Sequence, residues 1–181
     1  MKTLIIHPED ESTNFLCAIY SNLPDCTVMR SGFFHNEVRA AIKSHDRIIM
    51  LGHGSPGGLF NVNEYEINGS YVIDNRVVDL LREKKDSIFI WCNADQFVTR
   101  NKLSGFYSGM FISEVDEACC YNISAAQFVI TNSNDLFSTS LGLILKGTPS
   151  LKQIHERIKA LYYDPIDQVI SFNNARLYYT N

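Results

Sequence analysis

The sequence predicts an α/β fold: a doubly wound, mostly parallel sheet with helices on both faces and a small hairpin after the third strand. Three observations carry that expectation. Short apolar runs with few polar interruptions recur at residues 2–6, 26–30, 47–51, 87–92 and 109–115, and runs of that length read as strands buried on both sides. Segments with apolar residues three and four positions apart lie between most of them, as helices packed on a sheet require. Right-handed crossovers between such strands then leave only a few sheet orders.

The elements follow in order. Residues 2–6 form the first strand, and Ser12 or Thr13 is placed to cap a helix carrying Phe15, Leu16, Ile19, Tyr20 and Leu23 inward. Residues 26–30 are the second strand. Asn36 caps a helix to residue 44 with Val38 and Ile42 inward, and 47–51 is the third strand. The stretch from Leu59 to Ile73 alternates, with Asn68-Gly69 as a favoured hairpin turn. Asp74 caps a helix whose Val77, Val78 and Leu81 form an apolar stripe and whose last turn is basic. Residues 87–92 and 109–115 supply two further strands. Helices over 133–145 and 150–163 follow, divided by Gly147 and Pro149.

The chain has 181 residues, 45% of them hydrophobic and 20% charged, with no linker, repeat or low-complexity tract, which predicts one domain over residues 1–181. The formal net charge of −4 and the lack of a basic run argue against nucleic acid or an anionic membrane as partner. The apolar core of the N-terminus is too short for a signal peptide, and no apolar window reaches the roughly 18 residues of a membrane helix. The expected location is therefore cytoplasmic. Five cysteines, odd in number and without CxxC spacing, predict neither a disulfide framework nor a zinc site, and reduced thiols remain available for chemistry. The acids of HPEDEST, Glu9, Asp10 and Glu11, read more simply as residues of a helix first turn than as metal ligands.

One pairing stands out. The third strand runs into Gly52-His53-Gly54 and the fourth into Cys92, 39 positions later. Open α/β sheets place ligands at the carboxyl ends of their strands, and consecutive strands commonly lie side by side. A thiol and an imidazole on one such edge are the parts of nucleophilic catalysis.

In these motifs, IIMLGHG and IFIWC, the chain resembles the caspase-like cysteine peptidases, the group that includes gingipain, clostripain, legumain and separase. The order of elements over roughly residues 1–146 is similar as well. The resemblance implies His53 as the catalytic histidine, Cys92 as the nucleophile, and the N–H groups of Gly54 and Cys92 as the oxyanion hole. It also sets Glu114, Asp116 and Glu117 near the pocket for the residue before the scissile bond, where acid would favour Arg or Lys. A peptide or protein substrate, no metal and no organic cofactor are implied, together with a homodimer and a cleavable segment at 94–108. The chain departs from the pattern at Trp91, where the family carries a small residue, and at Asn93-Ala94, where a glycine usually follows the nucleophile. Two other readings stay open: an inactive caspase-like module that binds peptide, and a flavodoxin-like domain binding a small anion or nucleotide through Ser55-Pro56-Gly57-Gly58.

Overall fold

A computed structural model describes residues 1–61, 70–147 and 149–181. In chain order its elements are β1 (Thr3–Ile6), a 3-10 helix (Glu11–Ile19), β2 (Cys26–Met29), α1 (His35–Ser44) and β3 (Arg47–Leu51). Next come β4 (Gly54–Ser55), β5 (Gly58–Phe60), β6 (Tyr71–Ile73), a 3-10 turn (Asn75–Val77) and α2 (Val78–Leu81). The chain continues through β7 (Ile88–Ile90), α3 (Ala94–Asn101), β8 (Gly105–Ser108) and α4 (Val115–Cys120). It ends with α5 (Gln127–Leu145), α6 (Leu151–Leu161), α7 (Gln168–Asn174) and β9 (Leu177–Thr180).

The main sheet has the spatial order β2-β1-β3-β7-β8-β9, with every neighbouring pair parallel except β8 and β9. Its first five strands follow the order of a doubly wound α/β sheet whose direction of winding reverses beside the first strand. Successive residues of each strand point to opposite faces, and both faces are covered. Ile5, Ile49, Leu51, Ile88, Ile90 and Phe106 pack in the layer of the 3-10 helix, α5 and α6. Leu4, Ile6, Ile48, Met50, Phe89 and Tyr107 pack against α1, α2 and α3. Burial on both sides is the reason these strands are apolar throughout, and each such side chain removed from water contributes roughly 1.5–3 kcal/mol.

Several expectations need correction. The fifth strand of the sheet is β8 at Gly105–Ser108, whereas residues 109–114 form a loop. That loop satisfies its backbone through a side chain: the Ile112 N–H donates to Asn173 Oδ1 at 2.7 Å, and the Ile112 carbonyl accepts from Asn173 Nδ2 at 2.8 Å. A distant amide thus does for Ile112 what a neighbouring strand would do. Residues 94–108, expected as a cleavable segment, are taken up by α3 and β8, with Phe97, Val98, Phe106 and Tyr107 buried. Asp10, not Ser12 or Thr13, caps the first helix by accepting from the Ser12 N–H. Helix α5 starts at Gln127, six residues before the expected start, and α7 and β9 are further elements beyond those expected. The antiparallel pairing of β5 with β6 agrees with the expected hairpin, whose Asn68-Gly69 turn lies outside the described residues. The His155 Nε2–H donates to the Leu177 carbonyl at 3.0 Å, and its ring packs on Tyr179.

Candidate active site

The register of the two central strands pairs Leu51 with Ile90. His53 and Cys92 therefore each stand two positions beyond a matched pair, at the same end of the sheet. Period-two alternation aims both toward the layer that holds Leu51 and Ile90.

At His53 the backbone departs from the strand through Gly52, whose φ of +138° lies in the region that favours glycine. Behind His53 the chain doubles back as β4 and β5, and the Phe60 N–H donates to the His53 carbonyl at 2.9 Å. The turn Ser55-Pro56-Gly57-Gly58 closes this hairpin, so no helix begins there to cradle an anion, as the phosphate-loop reading would need. Gly54 has to be glycine for a different reason: a Cβ there would sit 2.3 Å from the Trp91 indole.

The imidazole is held by a two-residue relay from the first strand-to-helix connection. Ser12 Oγ lies 2.6 Å from His53 Nε2 and donates to Asp10 Oδ1 at 2.5 Å. A hydroxyl carries one proton and a carboxylate only accepts. With Ser12 donating to Asp10, its oxygen must accept from His53, which puts the imidazole proton on Nε2 and leaves Nδ1 as the basic nitrogen. Among the described residues Nδ1 has no protein partner. Burial works against the Asp10 carboxylate, but hydrogen bonds from the Ser12 hydroxyl and N–H, with the nearby His53, hold its pKa below the ordinary value.

Cys92 is placed by a strand that ends abruptly. Asn93 adopts the left-handed conformation, φ 65° and ψ 30°, immediately before α3. Asparagine tolerates this region better than most residues, and so provides the bend that a glycine at this position would provide. Trp91 belongs to the opposite layer, edge-on to Phe89 and Phe97, with its Nε1–H donating to the Ser55 carbonyl at 3.1 Å. The bulk before the cysteine therefore ties β7 to the β4–β5 hairpin. The Ser108 hydroxyl donates to the Trp91 carbonyl and fixes the same turn from β8.

The Cys92 thiol points toward the Phe111 carbonyl at 3.5 Å and Glu117 Oε1 at 3.6 Å. The other carboxylate oxygen of Glu117 accepts from the Ser113 N–H, the Ser113 hydroxyl and the Glu114 N–H. Burial, reinforced by the negative charge of Glu117, pushes the Cys92 thiol up to about 12. The resting group is a protonated thiol, and no hydrogen bond joins it to His53 among the described residues.

His53 and Cys92 line one cleft, together with Thr13, Phe15, Gly52 and Phe111. Its volume of about 20 Å³ is room for a water molecule. Gly54 is not in its wall, and the glycine that is there is Gly52. Glu114 caps α4, and Asp116 is exposed in the first turn of that helix. In the sequence Asp10 and Ser12 stand out only as helix-start residues, and Glu117 only as one of three neighbouring acids. The one local sign of Glu117's position is its three-residue spacing from Glu114, the two forming a reciprocal cap. Among the described residues no group of three His, Cys, Asp or Glu side chains is arranged to hold a metal ion, and no helix is long and apolar enough to cross a membrane. The chain matches no family model, no curated protein and no solved structure.

Proposed function

We propose that the protein is a cysteine peptidase of caspase-like type, with Cys92 as nucleophile and His53 as general acid and base. One observation carries this reading: strand register brings an imidazole with a free Nδ1 and a thiol into the wall of one cleft. The sheet order, with parallel strands ending at that edge, supports it.

Because the thiol rests protonated, attack and proton removal go together. Cys92 Sγ bonds to the substrate carbonyl carbon as its proton passes to His53 Nδ1, and the carbonyl electrons move onto oxygen, toward the Cys92 N–H; Gly54, expected as the second donor, lies outside the cleft wall. The C–N bond then breaks, its electrons leave with nitrogen, and the proton on Nδ1 goes to the departing amine. Water gives a proton to Nδ1 and its oxygen to the thioester carbon; the C–S bond then breaks, its electrons leave with sulfur, and the proton on Nδ1 passes to Sγ to restore the thiol. Throughout, the Ser12 relay holds the Nε2 proton, so Nδ1 alone exchanges protons. Such acid–base assistance is worth about 10²–10⁴ in rate.

A peptidyl acyloxymethyl ketone tests the reading: it should label Cys92, and the label should be lost in His53→Ala. A second reading is favoured by the partners of the thiol, the Phe111 carbonyl and Glu117, with no hydrogen bond to His53 among the described residues: an inactive module that binds peptide in the same place. Peptide binding without labelling by any peptide sequence would select it.

A further inference from the structure

The cleft as it stands has room for a water molecule, and a peptide carbonyl cannot reach Cys92 Sγ unless part of the wall moves. We propose that residues 109–114 and α4 form a flap that covers the thiol and swings away as one piece to admit the substrate; the inference rests on the peptidase reading only for the nature of what enters. Most of the wall is fixed. Gly52, His53, Ile90 and Cys92 stand in or just beyond β3 and β7, and Thr13 and Phe15 belong to the 3-10 helix, which packs extensively on α5. The flap contributes Phe111 and Ser113 to the wall. It also carries both partners of the thiol, the Phe111 carbonyl at 3.5 Å and Glu117 Oε1 at 3.6 Å.

Glu117 braces the loop onto the helix: its Oε2 accepts from the Ser113 N–H at 2.7 Å, the Ser113 hydroxyl at 3.0 Å and the Glu114 N–H at 3.1 Å. The piece so formed is lightly seated. Among the residues of α4 only Ala118 is buried, and among the described residues α4 has only sparse contact with the other helices and strands. Ile112 and Ala118 rest with Ile130 and Val169 in a small cluster apart from the two layers on the sheet. Side chains fasten the loop where a strand would have a ladder. Asn173 of α7 holds both backbone groups of Ile112, and Asn134 Nδ2 of α5 donates to the Ser113 carbonyl at 2.9 Å. Segments with few buried contacts are the ones that open without global unfolding. The Phe111 ring, with its centroid 4.8 Å from that of Phe137, is the contact with the core that opening breaks.

The test reads access to the thiol without any peptide. Cys92 is alkylated with iodoacetamide across a urea series and its peptide is followed by mass spectrometry, beside amide hydrogen exchange of the peptide covering 110–117. At low urea both rates should rise with a slope less than half that of global unfolding, as a local opening exposes little surface. Asn134 does not line the cleft, so Asn134→Ala should act on the thiol only through the flap and quicken both rates by one factor, about two- to tenfold. Alkylation with the full urea slope of global unfolding would overturn the flap, and the parent protein alone decides this. Exchange quickened by Asn134→Ala with alkylation unchanged would overturn it too, because Cys92 would then be reached by another route. Coupled opening in a protein whose Cys92 no peptidyl ketone labels would leave the flap assigned and remove the peptidase reading. Ketone labelling equally fast in the parent and in Asn134→Ala would do the reverse, since the rate should follow the open fraction.

Discussion

Among the described residues two histidine–cysteine pairs lie at the same end of the sheet, and they differ in whether the imidazole keeps a nitrogen without a partner. His7 follows β1 and His53 follows β3, on neighbouring strands, and both are bonded to hydroxyls from consecutive residues of the 3-10 helix: Thr13 for His7 and Ser12 for His53. Cys17 Sγ lies 3.9 Å from His7 Nδ1, a distance at which a dyad would be read from coordinates alone. Yet His7 is fully buried, with both ring nitrogens occupied by Tyr20 Oη at 3.0 Å and Thr13 Oγ1 at 3.2 Å. Burial, with the nearby Arg30 charge, lowers its pKa to about 4, so it stays neutral at physiological pH. Among the described residues His53 has one nitrogen tied and one without a partner, and it lines a cleft. The difference teaches that proximity of imidazole and thiol is insufficient: an unoccupied nitrogen and an opening for the substrate decide which pair can act.

Substitution should split the pairs most sharply. His53→Ala should lower kcat/KM for a cleaved peptide by about 10²–10⁴ and change stability by less than about 1 kcal/mol. His7→Ala should do the opposite, costing about 2–4 kcal/mol in urea unfolding by opening a cavity and removing the His7 partner of both Tyr20 and Thr13 while leaving kcat near that of the parent. A His7→Ala protein that is stable and inactive would reverse the assignment.

Titration gives the next largest effect. The folded-state pKa of His7 is about 4, below its ordinary 6.5, so the unfolded chain binds the extra proton first. The contribution of neutral His7 is whole above pH 6.5 and is lost as pH falls toward 4, an amount of about 3 kcal/mol. Stability measured against pH should show this slope, and a His7→Gln variant should flatten it. A slope unchanged in that variant would place the titration elsewhere.

Ser12→Ala should lower kcat by about tenfold by releasing Nε2, with KM little changed and activity restored by Ser12→Thr. Equal loss in both variants would make the hydroxyl a structural group only. The smallest effect is at Glu117. Its charge opposes the Cys92 thiolate, so Glu117→Gln should lower the thiol pKa and speed iodoacetamide alkylation of Cys92 at pH 8, about tenfold per pKa unit. The Cys92 peptide followed by mass spectrometry separates this from exposed Cys119 and Cys120. A slower reaction would show that the carboxylate helps remove the proton.

Much of this frame is legible in the amino-acid order because its signals are local. The run from Arg47 to Leu51 is bounded as expected, and the apolar residues at Val38, Ile42, Val77, Val78 and Leu81 are buried where helical spacing sets them. The misreadings arise where long-range partners replace local ones. GMFISEV has strand composition, but Asn173, 61 positions away, takes the backbone bonds of Ile112. In the same way His7 looks unremarkable until Tyr20, Thr13 and Arg30 close around it.

By itself the sequence determined the α/β class, the two-sided strands, and a histidine and a cysteine at the ends of two of them, because hydrophobic periodicity is written in residues a few positions apart. The tertiary structure alone decided that Ser12 holds Nε2 and that Glu117 faces the Cys92 thiol. Protonation and hydrogen-bond pairing depend on which groups are brought within about 3–4 Å, and that is settled only when segments tens of residues apart pack together.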